Sequence, residues 1–419
     1  MNLASFQMLL SPPGQQALQA AEALAPRESD FLPHLTRLSR QYPKELASAA
    51  LETAILRLEA AGKFPAASQM YFTRSALEQA SGQEVSSYRS QRFAGFELLL
   101  DLGCSVGGDT LSLASLAPTI GFDLDPLRLA MAGANLAGVR LALANLKALN
   151  PAHETLLIQA DLRNPLPVHA AGHTGAFFDP ARRTAERRIF SVQRYLPPLD
   201  TIQNWLPQIP ALGVKLSPGV DLAELEGYDG EVEFISLRGE LKEAVLWLGP
   251  LKSAQRRATV LLGAANLPTP FTLTGAPDQP AENSSSVHLS EPQAYLYEPD
   301  PSILRAGLVR TLGLQLDAAQ LDPDIAYLTS DQRLDTPFAK AYQVEDWLPF
   351  NLKRLRSTLR QRRVARAVVK KRGSPIRPEA LIRDLRLQPA SDGSGSERIV
   401  FLTHLQGKPI AVICLPRSH

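Results

Sequence analysis

Cysteine is nearly absent. The two in 419 residues, Cys104 and Cys414, lie far apart and offer neither a disulfide framework nor a metal-ligand spacing. Histidine is scarce as well: none of the seven sits in an HExxH or paired-cysteine context, so no metal site is expected. No apolar run is long enough to span a bilayer. The opening MNLASFQMLLSPPG lacks the basic region and long apolar stretch of a secretory signal, so the expected location is the cytoplasm. Net charge is close to zero too, +2 from 44 basic and 42 acidic residues, so a polyanionic partner would have to be met by a local patch.

What is present is enough chain for more than one core. Residues 1–92 are rich in Ala, Leu, Glu and Gln, with helical apolar spacing in ELASAALETAILRLEAAG and RSALEQASGQEVSSYRSQRFA, and predict an N-terminal helical domain. Across 93–262, short apolar runs bounded by Gly, Pro or Asp alternate with helical segments, which predicts an α/β domain with a mostly parallel sheet. Seven strands are expected: ELLLDLG, PTIGFD, ETLLIQAD, GAFFD, GVKLS, EVEFISL and EAVLWLG. Residues 263–290 are dense in Pro, Gly, Ser and Asn and predict a linker. Residues 291–419 predict a compact α+β unit of helix, strand, helix, strand, helix and a final hairpin.

In LLLDLGCSVGGDTLSLA, a strand ends at Asp101 and turns through glycines into a helix starting near Gly108. Glycine is needed where a Cβ would block a ligand's approach to the backbone and the helix start. The next strand ends at Asp123, whose carboxylate can accept both hydroxyls of a ribose. These features admit either a dinucleotide or S-adenosyl-L-methionine. Two details favour the second. The run Gly103, Ser105, Gly108 lacks the glycine that admits a pyrophosphate, and Asp101 would repel a pyrophosphate but suits a cationic amine.

Asp101-x-Gly103-x-x-x-Gly107 after one strand, Asp123 after the next, Asp161 in QADLRNPLP and then FFDPARR resemble, in order and spacing, the motifs of class I S-adenosylmethionine-dependent methyltransferases. The resemblance implies a Rossmann-like seven-stranded methyltransferase sheet. It implies that Asp101, Gly103 and Gly107 line the methionine end, that Asp123 meets the ribose, that Asp161 meets the adenine amine with Leu162 flanking the ring, and that Ser105 and Leu124 also belong to the cofactor site. Ser105 stands where the family often has glycine.

FFDPARR ends the fourth strand at the edge where ligands of open α/β sheets gather. In amine-methylating nucleic-acid enzymes this place carries an acid or amide, two prolines and an aromatic residue, and the acid and first proline carbonyl accept hydrogen bonds from the target amine. Here Asp179 and Pro180 keep the catalytic pair, while Ala181 and Arg182 replace the rest. Arg182 can stack on a base and Arg183 can hold a phosphate, which keeps an RNA amine as acceptor. Alternatively, the two arginines grip a carboxylate or phosphate of a protein or small molecule, or pair with Glu186 or the Asp161 loop and merely order the turn. Lys215, in GVKLS, reads as either a border of the acceptor pocket or a solvated edge residue.

Between Trp347 and Pro378 there is no acid, while Lys353, Arg354, Arg356, Arg360, Arg362, Arg363, Arg366, Lys370, Lys371, Arg372 and Arg377 crowd together. Such a face can neutralise phosphates, although charges of this kind can also pair with acidic surface elsewhere. The succession of elements around VVKKRGSP resembles the THUMP-like domain appended to a group of bacterial methyltransferases. That resemblance implies RNA as partner and Lys370, Lys371 and Arg372 among its contacts. The expected activity is methylation of a base amine of rRNA or tRNA. The alternatives are a methyltransferase acting on a protein or small molecule, and a non-catalytic RNA-binding module.

Overall fold

The computed structural model of the chain describes residues 1–145, 153–168, 173–182, 191–263, 268–278, 288–388 and 395–416. The chain divides into two compact units, one of Met1–Val232, Lys242–Ser253 and Gly263–Thr269, the other of Glu233–Leu241, Ala254–Leu262 and Pro270–His419. That division differs from the four segments expected along the chain.

Six helices open the first unit: α1 (Leu3–Leu10), α2 (Pro12–Glu22), α3 (Phe31–Leu38), α4 (Lys44–Ala60), α5 (Arg74–Gln79) and α6 (Gln83–Ser90). Their starts follow capping chemistry. Asn2 and Ser5 form a reciprocal capping box, Ser11 caps α2 ahead of Pro12, and Thr73 caps α5. In α4, Ala47, Ala50, Leu51 and Ala54 recur at three- and four-residue spacing and are all buried. The core they enter also contains Val106, Met131 and Val139, so the helices share one interior with the α/β layers rather than closing a core of their own.

Along the chain follow β1 (Leu98–Leu102), α7 (Gly108–Leu113), β2 (Thr119–Asp123), α8 (Pro126–Asn145), β3 (Thr155–Gln159), β4 (Thr174–Phe178), β5 (Ala211–Leu216), β6 (Gly230–Leu237), β7 (Glu240–Leu248), β8 (Arg256–Leu262) and β9 (Thr269–Gly275), of which β8 and most of β6 and β9 fall in the second unit. The sheet order is β3-β2-β1-β4-β5-β7-β6-β8-β9. All seven expected strands are present, but the sheet has nine, and β9 lies where a linker is expected. Strands β1 to β5 pair in parallel, and β7 runs antiparallel to β5. After β3 the chain crosses back to place β4 on the other side of β1. The carboxyl ends of β1 and β4 therefore flank the point where strand order reverses, which is where open α/β sheets form a crevice.

The second unit carries β10 (Tyr295–Pro299), α9 (Pro301–Ala306), α10 (Val309–Gln315), β11 (Ala319–Asp322), β12 (Ile325–Ser330), β13 (Ala339–Pro349), α11 (Leu352–Gln361), β14 (Val364–Lys371), α12 (Pro378–Leu385), β15 (Ser396–Leu405) and β16 (Lys408–Cys414). These strands form a second sheet in the order β11-β12-β10-β13-β16-β15-β14. The helix expected over PSILRAGLVRTLG is two helices, because Gly307 adopts a left-handed φ of 68° and ends the first. Strand β14 pairs in parallel with β15, and the buried faces of α11 (Leu355, Leu359) and α12 (Leu381, Leu385) join Val369 and Val400 in one cluster. Strands β10, β11 and β12 are not foreseen from the sequence.

Within the first unit, one buried amide ties α8 to the N-terminal segment beside the apolar packing of Met131 and Val139. Asn135 Oδ1 accepts the Tyr71 N–H at 2.6 Å, and its Nδ2 donates to the carbonyls of Tyr71 at 2.9 Å and Val106 at 2.8 Å. Asn135→Leu leaves those backbone groups buried without partners and should cost about 3 kcal/mol. Urea unfolding of the two proteins checks this; a difference below about 0.5 kcal/mol shows that the helices are held by apolar packing instead.

Candidate active site

Beyond the ends of β1 and β4 lies a cavity of about 460 Å³ in the first unit, within the range of small-molecule and cofactor sites. Its floor is the turn after β1. Gly103 has φ +93°, and a Cβ there would lie 2.6 Å from the Asp179 carbonyl oxygen, so the two loops can approach only with glycine at this position. The Asp179 N–H in turn donates to the Leu102 carbonyl at 3.0 Å. Ser105 holds φ +51°, a left-handed conformation costly for a residue with a side chain. Its N–H donates to Asp123 Oδ2 at 2.9 Å, while Asp125 N–H donates to Oδ1 at 2.9 Å. Serine in place of glycine thus leaves the turn intact, at the expense of backbone strain.

Gly103, Ser105, Asp123, Leu124, Asp161, Leu162, Asp179 and Pro180 all border this cavity. Burial raises Asp123 above the usual carboxylate range, against the two N–H donors. Arg163 takes Asp161 in a forked pair, with Nε–Oδ1 at 2.9 Å and Nη2–Oδ2 at 2.5 Å, and holds its carboxyl down at about 2.

Asp101 and Gly107, expected to line the methionine end, do not border the cavity. Gly107, at φ +85°, packs against Ala132 at the start of α7. Asp101 is completely buried behind the turn. Thr110 Oγ1 donates to its Oδ2 at 2.5 Å, and its Oδ1 has no hydrogen-bond partner among the described residues. Burial pushes Asp101 up to about 8, and the nearby Asp109 charge adds to the shift. Asp109 takes its place at the cavity wall.

Three buried charged groups lie beneath this wall, of which the sequence points only to Lys215, as either a border of the acceptor pocket or a solvated edge residue. Arg89, from α6, pairs with both Asp109 and Glu243, and its guanidinium lies 4.1 Å from the centre of the Phe177 ring. Burial opposes the Arg89 charge, but Asp109 and Glu243 outweigh it and raise this group above its usual value. Burial likewise opposes the Glu243 charge, and Arg89 more than offsets it, so Glu243 falls below its usual range. Ser81 Oγ donates to Glu243 Oε2 at 2.6 Å. Lys215 is not a solvated edge residue: it is 2% exposed and donates to Asp179 Oδ2 at 2.7 Å. The N-terminal helices also reach the site, since Ala76, Gln79, Ala80 and Ser81 form one wall of the cavity.

Arg182 is half-buried just past Ala181, which bridges to Leu196, and it does not border the cavity. Arg183 and Glu186 lie outside the described residues. In the second unit, Lys370 is held by Glu298 and by the Tyr342 hydroxyl, the latter at 2.9 Å. Arg372 sits 5.1 Å from the Tyr327 ring centre, and Lys371 is exposed. Part of the basic stretch is paired internally: Arg362 binds Glu345 and Asp346, Arg366 binds Glu397, Arg356 donates to the Asp384 carbonyl in the last turn of α12, and Arg360 donates to the Arg386 carbonyl just after it. Lys353, Arg354, Arg360, Arg363, Lys371 and Arg377 are exposed. Among the described residues no helix is long and apolar enough to cross a membrane, and no group of three or more His, Cys, Asp or Glu is arranged to hold a metal ion.

Residues 339–416 match the THUMP domain-like family, and residues 2–60 match a domain of unknown function. Over 349 residues, 81% of this chain and 88% of the relative, the chain is 34% identical to an uncharacterised S-adenosylmethionine-dependent methyltransferase of Mycobacterium tuberculosis, in each of two strains. A crystal structure from Porphyromonas gingivalis, whose description proposes a methyltransferase, shares the fold across 96% of this chain and 98% of that one, with a TM-score of 0.71 at 21% identity.

The raised Asp101 has a consequence for stability. Its folded value of about 8 lies above the ordinary 3.8, so the stability it contributes is fully present below the ordinary value and is lost as pH rises through about 8. Asp101→Asn removes that component. Between pH 5 and pH 9 the variant should gain on the wild type by up to about 1.4 kcal/mol per pH unit, read from urea midpoints. A constant difference between the two proteins across this range counts against a protonated Asp101.

Proposed function

The chain belongs to the S-adenosylmethionine-dependent methyltransferases, and on that premise we propose that it methylates a base amine of RNA, with rRNA or tRNA as acceptor. The observation that carries the choice of RNA is the THUMP domain-like match over residues 339–416, a unit that exposes Lys353, Arg354, Arg360, Arg363 and Lys371.

The donor set of the cavity fits the cofactor. Asp109, Asp123, Asp125, Asp161 and Asp179 line it against Arg128 and Arg163, a negative wall suited to a cationic ligand. When bound, S-adenosyl-L-methionine supplies a methyl group on an electron-poor sulfur. The chain's own residues position the partners. In this reading Gly103 and Ser105 form the floor, Asp123 accepts ribose hydroxyls, and Asp161 accepts the adenine amine beside Leu162. Each Asp123 oxygen already accepts one N–H and retains a second lone pair for a hydroxyl. Asp101 and Gly107 support the turn from behind.

Asp179 accepts a hydrogen bond from the N–H of the target amine, and the Pro180 carbonyl accepts a second. Together they turn the nitrogen lone pair toward the methyl group. Positioning of this kind supplies much of the rate in transfers between two bound partners. Pro180, Leu196 and Pro197 offer apolar walls for a planar ring rotated out of its stack. Exposed basic residues of the second unit, with Lys371 among them, hold the phosphate backbone; Arg182 and Arg183 steady the nucleotide near the site.

The test is transfer of labelled methyl groups to RNA from cells lacking the gene. Wild-type protein should label that RNA but not RNA from cells that carry the gene. Asp179→Ala should lower the rate about 100-fold or more, and Asp123→Ala should weaken cofactor binding about 10- to 100-fold by calorimetry. RNA affinity should fall steeply as salt rises. Label appearing in protein or small molecules while RNA stays unlabelled overturns the RNA reading.

A further inference from the structure

A fully buried lysine is rare unless it is paired, and Lys215 on β5 is paired with the acid of FFDPARR. The register explains why the two meet. Strands β4 and β5 run parallel with Phe178 opposite Val214, so the next residues, Asp179 just past the end of β4 and Lys215 still within β5, lie side by side. Lys215 Nζ donates to Asp179 Oδ2 at 2.7 Å and to the Gln79 carbonyl oxygen at 3.2 Å. Gln79 closes α5 and borders the cavity. The ammonium therefore joins the end of β4 to the N-terminal wall of the site. The charges of Asp109 and Glu243 also feel it, and Arg89 lies between those two acids.

We propose that Lys215 is a positioning residue for Asp179 that makes the site select a neutral amine. By binding Oδ2 it fixes the plane of the carboxylate and leaves Oδ1 to meet the acceptor N–H. Its charge balances the acid, so the pair presents a hydrogen-bond acceptor without a net negative charge at the point of transfer. A lone buried carboxylate there would instead draw in a protonated amine such as a lysine side chain. The exocyclic amine of a nucleobase is neutral and suits the balanced pair.

In its transfer readout this inference rests on the base-amine reading; in its binding readout it does not. The binding experiment compares two cofactor analogues on the full-length protein by calorimetry. One is S-adenosylhomocysteine, which has nothing in place of the transferable methyl. The other is sinefungin, which carries a protonated amine there. Lys215→Met should tighten sinefungin relative to S-adenosylhomocysteine about tenfold or more, by unmasking the Asp179 charge. Lys215→Arg keeps the charge and should hold the wild-type ratio within about threefold. In an Asp179→Asn background, Lys215→Met should no longer change the ratio, because the lysine acts through that acid.

In single-turnover transfer to RNA from cells lacking the gene, Lys215→Met should be about 100-fold slower at an unchanged half-saturating RNA concentration, with partial rescue by Lys215→Arg. An unchanged analogue ratio in Lys215→Met that melts within a few degrees of wild type overturns the proposal, as does a shifted ratio in Lys215→Arg. Should Lys215→Met not fold, Lys215→Gln is read by the same criteria. If wild-type protein transfers no methyl to RNA, the base-amine reading fails while the analogue ratio still decides the role of Lys215.

Discussion

The candidate site depends on a guanidinium that never reaches solvent. Arg89 comes from α6, pairs with Asp109 at the start of α7 and with Glu243 on β7, and lies against the Phe177 ring of β4. Four elements far apart in sequence are thereby fixed around one charge. Removing a single partner would strand an ion in a low-dielectric interior, which is far more costly than the net worth of the pair itself. The N-terminal helices are consequently not an appendage. They deliver Arg89 and Ser81 to the network, and Gln79 to Lys215, and they wall the cavity through residues 76–81.

The parts of this arrangement that were legible in the sequence are those whose cause is local. A glycine turn after an apolar strand, an aspartate ending the next strand, and Asp-Pro after FF each announce themselves within a few residues, because positive φ, strand ends and proline leave short-range marks. Gly103 shows why: its missing Cβ is required by a contact with Asp179, yet the turn signal alone marks it. Asp101 carries the same local mark, yet its side chain turns into the interior toward Thr110. Strand periodicity fixes alternation, not which face meets the cavity. The pairing of Lys215 with Asp179 was illegible for a different reason. A lysine in GVKLS is ordinary on a strand edge, and only the pairing of β4 with β5 brings it to an acid 36 residues away. Likewise β9 hides in a Pro- and Thr-rich run, TPFTLTG, whose composition signals a linker more strongly than a strand.

The basic stretch of the second unit is less free than its composition suggests. Arg362 and Arg398 share Glu345, Lys370 is committed to Glu298, and Arg366 faces Glu397, so acids from β10, β13 and β15 consume part of the charge that crowds residues 353–377. An acid-free window in sequence is not an acid-free surface, because neighbouring strands supply the counter-charges. What remains exposed outside these ion pairs, Lys353, Arg354 and Arg360 on α11, Arg363 and Lys371 at the two ends of β14, and Arg377 ahead of α12, is a smaller basic surface than the eleven residues imply. Were RNA the partner, as proposed, the salt dependence of its binding would count released counterions and so measure the size of that surface.

Charge balance also bears on which ligand the cavity takes. With Asp179 balanced by Lys215, the remaining acids Asp101, Asp109 and Glu243 are set against one buried cation, Arg89, so the wall beside the transfer point carries an excess of acid. That excess can be relieved by a proton, for which Asp101 is suited because burial has pushed it up to about 8. It can also be relieved by a cation in the cavity. A pyrophosphate would add negative charge to the same wall and deepen the imbalance. In the sequence the case against a dinucleotide rests on the glycine missing from the turn and on the charge of Asp101. The buried carboxylates oppose it on electrostatic grounds, and the two arguments share only Asp101, so the preference for a sulfonium does not hang on the conformation of the turn.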